Sequence, residues 1–202
     1  MAHRRGLESR RDRLIEIAAS LFEANGYHQT SMENLAEAAD LAKPSLYYYF
    51  NSKEEILFGI HLKFILPLIE AHERRLAAGA SPEELLRGAL EDQMGMGAAS
   101  PGMVKVFFEH RRELQGEHRS NVRANRVRYR QLIEDAIRAG IESGAFREID
   151  PRATAFAFFG MINWAYKSLS SSRSLGPHEM AHFVFDLLLR GIAAEERDTT
   201  AS

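Results

Sequence analysis

Residues 30–53, TSMENLAEAADLAKPSLYYYFNSK, read as two short helices around a tight turn, followed by the start of another. Thr30 and Ser31 open the first, Thr30 and Glu33 standing at capping-box spacing, with Leu35, Ala36 and Ala39 on its inward side. After a turn through Asp40, Leu41 and Ala42, Pro44 suits the opening of a second helix that lasts only to Phe50. At 100° per residue Leu46, Tyr47 and Phe50 fall together, opposite Ser45 and Tyr48. A short helix with a polar outer face fits the major groove of DNA, and hydroxyls, lysines and a helix N-terminus meet phosphates at the groove edges. Lys43, Ser45, Tyr48 and Tyr49 are what such a helix offers, with Ser31 and Lys53 at flanking backbone positions. Tyr48 has no core to enter, whereas Tyr47 stays open between core and surface.

Outward from this stretch, apolar residues recur at helical spacing and no alternating strand pattern appears, so the fold class is all-α. A helix from about Ser9 to Asn25 precedes it, closed by Gly26; Ser52 caps a long helix that runs to about Ala78 with Pro67 as its bending point. Ser81, Ser100, Asp150 and Gly176, each followed by proline, start further helices, and an arginine-rich helix spans about Glu117 to Ser143. About nine helices result: an N-terminal three-helix helix-turn-helix domain and a larger C-terminal helical domain.

The pieces LIEIAASLFEANGY, TSMENLAEAADL, KPSLYYYF and NSKEEIL, in this order and spacing, resemble the DNA-binding domain of the TetR family of transcriptional repressors. The resemblance covers residues 11–58. It implies that Lys43, Pro44 and Ser45 lie at the major-groove surface, that Tyr47, Tyr48, Tyr49 and Ser31 serve base edges or phosphates, and that Lys53 binds a phosphate. Two positions depart from the pattern: Asp40 replaces the usual turn glycine and must accept a left-handed conformation, and Tyr49 stands where histidine is common. Residues 1–10 form a basic arm, which either follows a groove or is a solvated tail. Residues 59–202 then form the ligand-binding and dimerisation domain.

Composition excludes several classes. With no cysteine there are no disulfides or thiolate sites, and the net charge of −2 argues neither for nucleic acid nor against it. No signal peptide or long apolar run is seen, so the expected location is the cytoplasm and no membrane is involved. His178, Glu179 and His182 spell the zinc-peptidase pattern H-E-x-x-H, but the glycine and third histidine of its extended form are missing. No acid, base or nucleophile converges elsewhere; the expectation is a non-enzyme without cofactor or metal, a non-DNA-binding helical scaffold being the other alternative.

Apolar residues cover nearly the whole circumference of the last two helices, which demands a partner subunit. Phe156, Phe159, Phe183, Leu187 and Leu188 are its candidate contacts, giving a two-fold homodimer for a pseudo-palindromic operator. For an effector, Met103, Phe107, Phe108 and Trp164 offer an apolar lining, and Arg111 and Arg112 precede Arg119, Arg123, Arg126 and Arg130, which share one helix face. Ordinary core packing would also produce such an apolar set, and a solvated face such an arginine row. The segments from Phe107 and Ala145 onward are similar, more loosely, to regulatory domains of TetR-type regulators of fatty-acid and sterol breakdown, some of which respond to acyl-CoA. That similarity implies a small hydrophobic effector of the acyl-CoA type that releases double-stranded operator DNA.

Overall fold

The computed structural model describes residues 2–171 and 176–193, with side chains for 9–165, 176 and 178–193. Nine α-helices follow one another among these residues: α1 Ala2–Asn25, α2 Met32–Ala38, α3 Lys43–Tyr49, α4 Lys53–Ala77, α5 Pro82–Ala99, α6 Pro101–Glu109, α7 Gly116–Glu142, α8 Pro151–Ser171 and α9 Pro177–Ile192. A 3-10 turn, Arg111–Glu113, separates α6 from α7, and the sole strand-like feature among the described residues is an isolated bridge between Phe146 and Ala193. The all-α reading therefore holds. The first helix begins at Ala2 rather than Ser9, so residues 2–10 continue α1; the side chains of Arg4 and Arg5 lie outside the described set.

The helix ends follow the local chemistry. Ser81 caps α5, its backbone N–H donating to Glu84 at 2.7 Å, and Asp150 Oδ1 accepts from the N–H groups of Arg152 and Ala153 at 2.8 and 3.0 Å. α4 closes at Gly79, φ +77°, with Ala80 N–H reaching back to the Arg75 carbonyl.

The chain divides into two compact units whose boundaries fall inside helices. The first comprises residues 1–67 and 96–126, the second 68–95 and 127–202. Phe22, Leu46, Phe50, Ile56, Leu57, Ile60 and Phe64 fill the core of the first. There α6 presses on α1: a Cβ on Gly102 would stand 3.0 Å from the Ala19 carbonyl oxygen, a contact tight enough that the α1 backbone would have to give. In the second unit Leu86, Leu90, Ile133, Ile137, Phe158, Ile162 and Val184 share one core.

Candidate nucleic-acid interface and effector site

α2 is held at both ends. Ser31 is its N-cap, accepting from Asn34 N–H at 3.1 Å while Asn34 Oδ1 accepts from Ser31 N–H at 3.0 Å. The cap thus sits one residue later than the Thr30–Glu33 spacing suggests, because the Thr30 hydroxyl turns back to donate to the Gly26 carbonyl at 2.8 Å. At the other end Asp40, φ +52°, takes the left-handed position, and Leu41 and Asp40 N–H donate to the Ala36 and Glu37 carbonyls at 2.9 and 3.0 Å. Asp40 does the work of the missing glycine.

α3 is anchored by Leu46 and Phe50, both inside the core, and this fixes its outer face. Pro44, Ser45 and Lys43 are exposed, Tyr49 is half-buried, and Tyr48 is 72% exposed with its ring edge-on to Tyr49 at 5.3 Å. Tyr47, left open by the sequence, is 41% exposed and belongs to the surface. Lys43 pairs with Glu33, which raises the lysine pKa and lowers that of the carboxyl through their hydrogen bond. An exposed pair of this kind contributes little to stability.

Lys53 is placed differently. Its ammonium donates to the Tyr27 and Thr30 carbonyls at 2.7 and 2.8 Å, touches that of His28 at 3.4 Å, and lies 4.4 Å over the Tyr27 ring. Partial burial lowers its pKa. Where a phosphate contact was expected of Lys53, the structure without DNA shows it satisfying carbonyls of the α1–α2 loop. The next residue, Glu54, accepts from Gln115 N–H at 2.8 Å and faces His118 Nδ1 at 3.3 Å.

Of the effector residues, Met103 and Phe107 are buried and Phe108 half-buried in the first unit, where Phe64, Phe107 and Phe108 form an aromatic cluster with centroids 4.3 to 6.4 Å apart. The arginine row does not act as one face. Arg111, Arg112, Arg119 and Arg123 are exposed, while Arg126 is drawn in, its guanidinium 4.5 Å over the Phe107 ring. Burial, then the charge of Arg111, pushes its pKa down to about 10. His61, which sequence reasoning missed, stands 5.2 Å from the same ring, and burial, reinforced by Arg126 and His110, holds its pKa down at about 3. The only signal for it was one histidine inside the apolar run ILFGIHLKFIL.

Arg130 and Trp164 fall in the second unit. Arg130 Nε donates to Glu134 at 2.9 Å, so its charge is already answered. Trp164 is 62% exposed because Phe158, Ile162 and Ala165, on the opposite side of α8, take the core. Its lining role is corrected: it shares an outward face with Phe156, also exposed. On α9, Phe183 and Leu187 likewise point outward. Two interface expectations change: Leu188 is buried with Met180, Val184 and Ile192 on the inward side, and Phe159 is half-buried against the core and the Tyr129 ring, 5.7 Å away.

Residues 14–60 match the bacterial regulatory proteins of the tetR family, and residues 79–192 match the tetracyclin repressor-like C-terminal domain. The chain belongs to the TetR family. Its TetR relatives include the transcriptional repressor KstR2 of Rhodococcus jostii, 26% identical over 94% of both chains. The structure of PfmR from Thermus thermophilus is 34% identical, with a TM-score of 0.81 over 92% of this chain and 100% of that one. AibR, crystallised with isovaleryl coenzyme A and operator DNA, is 28% identical, with a TM-score of 0.79 over 89% of this chain and 98% of that one.

TetR proteins are DNA-binding transcriptional regulators and not enzymes. His178 and His182 place their Nε2 atoms 3.1 Å apart on the exposed side of α9, but Glu179 caps the helix by accepting from Gly176 N–H at 2.8 Å. Among the described residues no third ligand joins them. No helix among the described residues is long and apolar enough to cross a membrane.

Proposed function

We propose that two copies of this TetR chain pair through α8 and α9 and act in the cytoplasm as a repressor of a pseudo-palindromic operator, released by an acyl-CoA thioester. Residues 11–58 read the DNA and residues 59–202 hold the effector and the second copy. The carrying observation is the outer face of α3: Tyr47 and Tyr48 stand out in solvent on a helix whose other side is locked by Leu46 and Phe50. With Lys43, Pro44 and Ser45 beside them, they meet base edges, while Ser31 and Tyr49 reach the backbone. Phe156, Trp164, Phe183 and Leu187 are each more than half exposed, and a second copy covering them supplies the two-fold axis that places two α3 helices about one helical turn, roughly 34 Å, apart.

Support for the effector class comes from AibR, whose complex holds a coenzyme A thioester together with operator DNA. A bound ligand acts only through unequal affinity for two arrangements of the protein, so it must favour one in which the reading helices no longer match the groove spacing. Fluorescence anisotropy with DNA from upstream of the protein's own gene tests both halves: tight, salt-dependent binding, lost on adding acyl-CoA. No binding sinks the repressor reading, and binding unmoved by any thioester sinks the effector. In the same assay Tyr48→Ala weakens the operator about tenfold. Its melting temperature stays that of the parent, since the ring lies in solvent.

A further inference from the structure

Around the Phe107 ring the protein places two buried polar groups that it does not itself satisfy. His61, from α4, is wholly buried and neither ring nitrogen has a hydrogen-bond partner. Arg126, from α7, holds its guanidinium 4.5 Å over the same ring with Nη1 buried and unpartnered. Nearly all buried polar atoms in proteins are paired, and an unanswered guanidinium in the interior is among the costliest exceptions. Two such exceptions on one phenylalanine share one neighbourhood, and Phe64 and Phe108 wall it.

The donor set limits what fits. A guanidinium has donors only, and a neutral imidazole offers one N–H donor beside it. Among the described residues no carboxylate is paired with Arg126. The missing complement is therefore an anionic oxygen group carried by a molecule with an apolar portion. We propose that His61 and Arg126 form a buried oxyanion-binding point for the effector, taking either the carboxylate of an aliphatic acid or a phosphate of its coenzyme A thioester. With a carboxylate held there, the aliphatic chain lies along Phe64, Phe107 and Met103; with a phosphate, the acyl chain lies a pantetheine arm away. This rests on the effector reading above and names which part of the effector is gripped.

The test is calorimetric titration of the full chain with decanoate, decanoyl-CoA, coenzyme A and decanol, alongside melting curves without ligand. The parent binds at least one of the three anions. Arg126→Met weakens that binding at least tenfold, leaves decanol unchanged, and does not lower the ligand-free melting temperature, because it removes an unanswered charge. His61→Gln, which keeps an N–H donor, retains more affinity than His61→Phe. Preference for decanoate assigns the carboxylate; equal binding of coenzyme A and its thioester assigns the phosphate. The proposal is overturned if the parent binds none of the anions, if Arg126→Met binds them as tightly as the parent, or if that variant loses melting temperature and decanol affinity together, which marks Arg126 as structural. Anion binding without operator release defeats the effector reading alone. Release that survives Arg126→Met defeats the oxyanion point alone.

Discussion

Arg75 and Arg126 are both partly buried arginines on long helices, one in each compact unit, and they are treated in opposite ways. Arg75 forms a two-pronged bond to Asp92, Nη1 to Oδ2 at 2.6 Å and Nη2 to Oδ1 at 2.8 Å, with Gly88 leaving it room: a Cβ there would stand 2.5 Å from Arg75 Nε. Close by, the buried Tyr129 hydroxyl accepts from Gln93 Nε2 at 3.3 Å, and Gln93 also donates to the Ala89 carbonyl at 3.2 Å. In the second unit the buried atoms without partners, among the described residues, are neutral ones, His72 Nδ1 and Asn163 Oδ1. The first unit leaves a cationic group and a whole imidazole open. The difference lies in the charge: the second unit pairs this arginine with a carboxylate, and the first leaves a guanidinium donor without an acceptor.

The contrast is broken most strongly by Asp92→Ala, which puts Arg75 in the condition of Arg126. Loss of roughly 2 kcal/mol is expected, a fall of about 4–8 °C in thermal melting, because removing one partner strands the other and solvent recovers only part of the cost. An unchanged midpoint means that Arg75 was never dependent on its partner. The unit with open groups is probed by acid. His61 has a folded pKa near 3 against an ordinary value of 6.5, so the unfolded chain binds its proton first. Its contribution to stability is complete above about pH 6.5 and is lost as pH falls toward 3, by up to about 1.4 kcal/mol per pH unit. His61→Gln should flatten the acid limb of a denaturant-melting series. His72 and His110, also lowered by burial, keep the same sign, so the limb shallows without vanishing. The smallest effect belongs to Tyr129→Phe, about 1 kcal/mol in chemical denaturation, since Gln93 retains its bond to Ala89.

Helix boundaries were readable because they are written in local chemistry. Ser52, Ser81 and Asp150 cap where their side chains reach the next turn, and Asp40 sits where a left-handed residue is required. The reading of Thr30 slipped by one residue because a hydroxyl has two nearby backbone targets and sequence does not say which one it takes. Side-chain destinations fixed by distant segments were less legible. A lysine after a recognition helix looks like a phosphate ligand, and only the folded α1–α2 loop reveals carbonyls converging on Lys53. Likewise the arginine row obeys one helical period, yet its members end up in solvent, over an aromatic ring, or on Glu134 according to what packs beside each turn. Full circumferential apolarity in α8 and α9 overstated the interface, since the inward half of each helix is spoken for by the subunit's own core.

The first two residues of α4 carry a mechanical consequence. Lys53 clasps the loop leading into α2, and Glu54 hooks the backbone at the start of α7. The first turn of α4 is thus fastened on both sides, and any shift of it must carry or break both contacts.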